Sequence, residues 1–151
     1  MNSRIATALA FLLLLTLTLV ACGDENKTYA IPTYSGGTSI TAPAAFKSQE
    51  ASLSGNVKNG KIEYFKTADA PSKVKTAFTD SFKKDGWKDE TSTMGADTVS
   101  QMEAMQGFMM LYTNGTQAVA VVGFPNSVAA LLEPSLGATD SLYIVISGQG
   151  K

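Results

Sequence analysis

The sequence predicts an α+β domain: a mostly antiparallel sheet carrying one main helix on one face, as a two-layer sandwich. Three observations lead there. Strand-like runs flank two Asn-Gly steps, Asn59-Gly60 and Asn114-Gly115, and this dipeptide supplies the positive φ values of a tight hairpin turn. Between them lies one strongly marked helix, with apolar residues at helical spacing and a signal at each end. A closing run, Leu142 to Ser147, puts Tyr143 and Val145 on one face and Ile144 and Ile146 on the other.

The elements follow in order. Ile31 to Gly37 reads as the start of the ordered chain, because Pro32 restricts Ile31 to extended geometry and Gly36-Gly37 suit a turn. Thr38 to Phe46 contains Pro43, which argues against a central strand. Ala51 to Val57 and Lys61 to Thr67, joined at Asn59-Gly60, predict a hairpin whose second strand turns Ile62 and Tyr64 toward the core. Asp69-Ala70-Pro71 opens the helix, with proline in the first turn and Asp69 near the positive end of the helix dipole. Val74, Ala77, Phe78 and Phe82 form its apolar stripe.

Lys83-Lys84-Asp85-Gly86-Trp87 ends that helix. Gly86 suits the left-handed C′ position, which makes Trp87 C″ and Phe82 C3, the two residues that meet in a Schellman motif. Trp87 is therefore read as packing and not as a ligand platform. A strand through Lys88 to Ser92 follows. Within Met94 to Gln106, the residues Val99, Met102 and Met105 predict one face of a short helix, and Phe108 to Tyr112 a buried strand. Gln117 to Phe124 is a Val-rich strand, and Pro125-Asn126-Ser127 predicts an N-capped short helix running through Leu132.

The stretch from Ile62 through Trp87 pairs a strand with an Asp-Ala-Pro helix start, a Val, an aromatic four residues on, and a Gly-Trp stop. It resembles a segment found in many small bacterial envelope lipoproteins. That resemblance implies the architecture and no activity.

The chain starts with a short positive stretch, Asn2-Ser3-Arg4, and then runs from Ile5 to Ala21 without an ionisable side chain, the layout of a secretion signal. As a transmembrane helix, those seventeen residues would reach about 25 Å, short of the ~30 Å hydrocarbon core. Leu19-Val20-Ala21-Cys22 resembles the lipobox of bacterial lipoproteins, with an aliphatic, a permissive and a small residue before a cysteine. The resemblance implies cleavage between Ala21 and Cys22 by a type II signal peptidase, a diacylglyceryl group on the Cys22 thiol, and often a further acyl chain, such as palmitate, on the new amino terminus. Each buried methylene contributes ~0.8 kcal/mol, so two or three chains make a firm membrane anchor.

The expected organisation is a signal peptide over 1–21, a lipid-anchored flexible tether over 22–30, and a single α+β domain over 31–151. The expected location is the cell membrane or outer membrane, with the domain facing the periplasm or exterior. Gly23 stands where an aspartate would favour inner-membrane retention in that family, which points toward the outer membrane.

Composition removes most chemistry. The chain has no histidine, which excludes the usual zinc sites, the Ser-His-Asp and Cys-His arrangements and the commonest general base. Cys22 is its single cysteine, so lipidation leaves no thiol for a disulfide, a nucleophile or a metal. Of the 12 basic residues one is Arg4; after its removal 11 lysines face 13 acidic residues, a balance of −2 with no arginine. A nucleic-acid partner is not expected from that charge.

Ser72-Lys73-Val74-Lys75 matches the Ser-x-x-Lys of penicillin-recognising enzymes, but the Ser-Asp-Asn and Lys-Thr-Gly companions are missing and Ser81-Phe82-Lys83-Lys84 matches equally well. Met102, Met105, Met109 and Met110 offer soft sulfur for copper(I), yet are read as adaptable core filling. Glu63, Asp69, Asp80 and Asp97 are read as solvated, and the sequons at Asn26 and Asn114 as tether and turn. No catalytic residue, metal or cofactor is expected.

The sequence thus predicts a non-enzymatic, lipid-anchored envelope module that binds a protein partner or supports an envelope assembly, with the membrane as its first partner through Cys22. The alternative is a carrier or sensor of a small apolar ligand, motivated by Met102 to Met110 and by an apolar lip from Val128 to Leu132.

Overall fold

A computed structural model describes residues 28–47 and 57–150. The strands are β1 (Thr38–Ile40), β2 (Lys58–Thr67), β3 (Lys88–Asp89), β4 (Phe108–Asn114), β5 (Gln117–Phe124) and β6 (Ser141–Gln149). The helices are α1 (Pro71–Lys84), α2 (Ala96–Ala104) and α3 (Asn126–Leu132). All six strands join one antiparallel sheet in the order β1-β2-β6-β5-β4-β3, giving an α+β fold. The last strand in sequence, β6, lies between β2 and β5.

The sheet is covered on both sides. Val74, Phe78 and Phe82 of α1 pack on Met110, Tyr112, Val119, Val121, Tyr143 and Val145. Phe82 stacks on Tyr112 with ring centroids 4.3 Å apart at 10°, and burying such a ring contributes about 1.5–3 kcal/mol. The opposite side, with Tyr64, Met109, Leu111, Val122, Leu142 and Ile144, is covered by shorter pieces: Phe46, Met94, Met102 of α2 and Ala129 of α3. Ile62 and Tyr64 do turn toward apolar core, but on the side away from α1, while Phe65 turns toward α1. The run Phe108 to Tyr112 is buried at every position because both its faces are covered, so it shows no polar alternation.

The end of α1 is built as its sequence predicts. The Trp87 N–H donates to the Phe82 carbonyl at 2.9 Å, the Gly86 N–H donates to the Lys83 carbonyl at 3.2 Å, and Gly86 has φ 75°. These are the two hydrogen bonds of a Schellman motif. At the other end Ala70 is the N-cap and Pro71 the first helical residue.

Two local readings change. Asn59-Gly60 is not a turn: β2 runs straight through it, and the ladder to β6 slips between the Lys58↔Gln149 and Lys61↔Ser147 pairs. The positive φ that suits a hairpin turn also suits a bulge. Asn59, at φ 55°, uses it to point Nδ2 at Gln149 Oε1, 2.9 Å away. The expected first strand of that hairpin, apart from Val57, falls outside the described residues. The start of α3 also differs, because Pro125 is the N-cap and makes no side-chain cap. Asn126 is the first helical residue, and its Nδ2 donates to the Ala138 carbonyl at 2.7 Å instead.

The Asn114-Gly115 hairpin forms with Asn114 paired to Gln117, so its two loop residues are Gly115, at φ 59°, and Thr116. The strand after Trp87 is shorter than expected. It ends at Asp89 because Thr91–Met94 turns into a 3-10 helix, where Thr91 Oγ1 accepts from the Leu111 N–H at 3.1 Å in place of a strand carbonyl.

Candidate functional site

Leu19-Val20-Ala21-Cys22, read above as a lipobox, lies outside the described residues, as do the expected signal segment and the Asn26 side of the first sequon. The chain nearest to it is firmly placed. Tyr29, within the stretch read as tether, donates its N–H to Gln117 Oε1 at 2.8 Å and sets its ring edge against Trp87, centroids 6.2 Å apart at 68°. It also lies over the hairpin turn at Gly115. Tyr29, Ile31 and Tyr34 together extend the apolar layer that α1 begins.

The strongest polar cluster is Tyr34, Asp69 and Lys73. Asp69 Oδ1 accepts from Lys73 Nζ at 2.7 Å, and Oδ2 accepts from the Tyr34 hydroxyl. The Asp69 N–H donates to Thr67 Oγ1 at 3.2 Å, which fixes the backbone just before α1. The Lys73 ammonium and then the Tyr34 hydroxyl hold the Asp69 carboxyl below its usual range, and bonding to that carboxylate raises both Tyr34 and Lys73. Each group moves away from neutral pH, the reverse of what a general base or an activated nucleophile needs. The cluster works as a clamp joining the chain around Tyr34 to the start of α1.

Gly36-Gly37 completes that clamp. The Gly37 N–H donates to the Tyr34 carbonyl at 3.1 Å, so the turn expected there is present. The glycines serve closeness of approach: a methyl group on Gly36 would lie 2.7 Å from the Tyr34 ring and 2.9 Å from Asp69 Oδ2, and one on Gly37 would collide with the Tyr143 hydroxyl. Tyr143 stacks on Phe65 at 4.9 Å and 9°, and burial pushes its hydroxyl up to about 12. Tyr34 and Tyr143 carried no signal in the sequence beyond their aromatic character, since their partners are distant along the chain.

The other residues singled out from the sequence are scattered. Ser72 is exposed, and Lys75 Nζ pairs with Glu103 Oε1 at 3.0 Å, so the Ser-x-x-Lys spacing builds no nucleophile with its base. Lys84 is exposed and the Ser81 carbonyl accepts from the Asp85 N–H. Met102, Met105 and Met109 do come together, with Met94 beside them, in the core away from α1, whereas Met110 faces α1. Glu63 pairs with Lys61 at 2.8 Å, while Asp80 and Asp97 are exposed. In the Val128 to Leu132 lip, Leu131 is 69% exposed and Ala129 is buried.

Among the described residues, no group of three His, Cys, Asp or Glu side chains is placed to hold a metal ion. No helix among them is long and apolar enough to cross a membrane. Comparison with protein-family models, with curated proteins and with solved structures gives no match to this chain.

Proposed function

We propose that this chain is a lipid-anchored cell-envelope module, tethered through acyl chains on Cys22, that binds a protein partner or supports an envelope assembly and does not catalyse a reaction. The observation that carries the reading is Leu19-Val20-Ala21-Cys22 at the end of an uncharged apolar run behind Arg4, with no second cysteine in the chain. The absence of histidine from the sequence supports the non-catalytic part. So does the polar cluster of Tyr34, Asp69 and Lys73, whose members are mutually neutralised. Carriage of a small apolar ligand is the weaker alternative, because Met102 and Met109, which motivated it, are packed in the core.

The test is mass and fractionation together. Intact mass spectrometry of the membrane-extracted protein is expected to show a chain starting at Cys22 with acyl groups attached. The Cys22→Ser variant is expected to keep its signal or leave the lipid-anchored fraction. A mature chain that starts elsewhere, or has no acyl mass, overturns the proposal.

A further inference from the structure

We infer that the hairpin end of the sheet, where Gly115, Thr116, Trp87 and the last turn of α1 meet, faces the bilayer, and that its free lysines lie against anionic phospholipid headgroups. This rests on the anchoring proposed above and adds an orientation to it.

The first support is chain length. Tyr29 is pinned to Gln117 and Trp87, and the seven residue-to-residue steps from Cys22 to Tyr29 reach at most about 25 Å. The acylated residue therefore lies within that radius of the hairpin end. The register shows what else is there: Lys58 pairs with Gln149, Gln149 with Gln117, Gln117 with Asn114, and Lys88 with Thr113. The other end of the sheet, where Phe124 pairs with Leu142 and α3 begins, is about 24 Å farther along β5. That end touches the headgroups only if the tether is drawn out fully and back along the domain.

The second support is charge. Among the described residues, Lys61, Lys66, Lys73, Lys75 and Lys88 each have a carboxylate partner. Lys47, Lys58, Lys83 and Lys84 are exposed with no such partner among the described residues; the last three sit at the hairpin end, with Asp85 beside them, and Lys47 acts on Glu133 at the other end. Glu133 and Asp140 lie at the far end, between α3 and β6. There Lys66 pairs with Asp140 and Lys47 offsets Glu133, so an anionic surface attracts the hairpin end more than the far end over a Debye length of about 10 Å.

The experiment uses the full acylated protein in vesicles of phosphatidylcholine with phosphatidylglycerol. Acylation occupies the Cys22 sulfur, so an introduced cysteine is the one thiol available to a fluorophore. Asn114→Cys reports on the hairpin end, with Asp85→Cys as a second reporter there, and Ala130→Cys reports on the far end. Headgroup-attached quencher is expected to remove most of the emission at Asn114 and Asp85 and little at Ala130. Equal quenching at both ends, or stronger quenching at Ala130, in protein whose mass shows the acyl chains overturns the orientation alone. Protein whose mass lacks them overturns the anchoring, and the orientation with it.

Discussion

Trp87 meets Phe82 edge to face, ring centroids 5.4 Å apart at 72°, while its backbone N–H closes the last turn of α1 on the Phe82 carbonyl. One residue thus ends the helix and seals its apolar stripe. The same indole also receives Tyr29, so the helix stop and the docking of the chain before β1 share a side chain.

Gly86→Ala is expected to destabilise the domain by about 1 kcal/mol, because φ 75° is a left-handed conformation that a Cβ disfavours, and there is open space around it. Trp87→Ala should cost about 3–5 kcal/mol through the cavity it leaves. Urea unfolding of the two variants, side by side, checks the ratio.

Gly37→Ala is expected to cost about 1–3 kcal/mol by forcing the Tyr143 ring off its stack on Phe65. Tyr143→Phe removes the hydroxyl that the new methyl would strike, so the double variant should lose less than the sum of the two single ones. A thermodynamic cycle of four urea melts measures that coupling.

The Asp69 carboxyl is held low by Lys73 and Tyr34, so its ionisation favours the folded state. That contribution is fully present above the unfolded pKa of about 3.9 and is lost as pH falls through the lower folded value. The stability gap between the natural chain and Asp69→Asn should accordingly be flat from neutral pH down to about 5 and close under stronger acid. A gap that widens as the solution is acidified contradicts the clamp.

Tyr143 gives a signal at the alkaline side. Its hydroxyl is raised to about 12 by burial, so the folded state loses stability as pH climbs from the ordinary tyrosine value of about 10 through that point. Phenolate absorbance should show a late-ionising tyrosine that disappears in Tyr143→Phe.

Met102→Leu is expected to cost less than about 1.5 kcal/mol and Met102→Ala about 2–5 kcal/mol, as for a buried side chain valued for volume. Copper(I) added to the reduced protein should leave the melting temperature unchanged. A rise that Met102→Leu abolishes would restore the thioether reading.

How much of this was legible beforehand depended on distance along the chain. The α1 stop was, because Phe82, Lys83, Gly86 and Trp87 specify it within a few residues. So was the hairpin at Gly115, for the same reason. Asn59-Gly60 misled because one dihedral preference serves both a turn and a bulge, and the deciding partner, Gln149, is 90 residues away. The bond from Tyr34 to Asp69 spans 35 residues and left no local trace. The second covered side of the sheet was half-visible in the unbroken apolar run of β4, but nothing nearby named Phe46 or Met94 as its cover. The reading of Leu19-Val20-Ala21-Cys22 rests on the linear sequence, and these residues lie outside the described structure.

The position of β6 has a consequence for how the domain comes into being. It is flanked by β2 on one side and β5 on the other, yet it follows both in the chain. A polypeptide made from its N-terminus would hold two half-sheets, β1-β2 and β5-β4-β3, with no seam between them until Ser141–Gln149 emerges. Until that keystone arrives no ladder joins the two halves, and once it does the sheet closes as one.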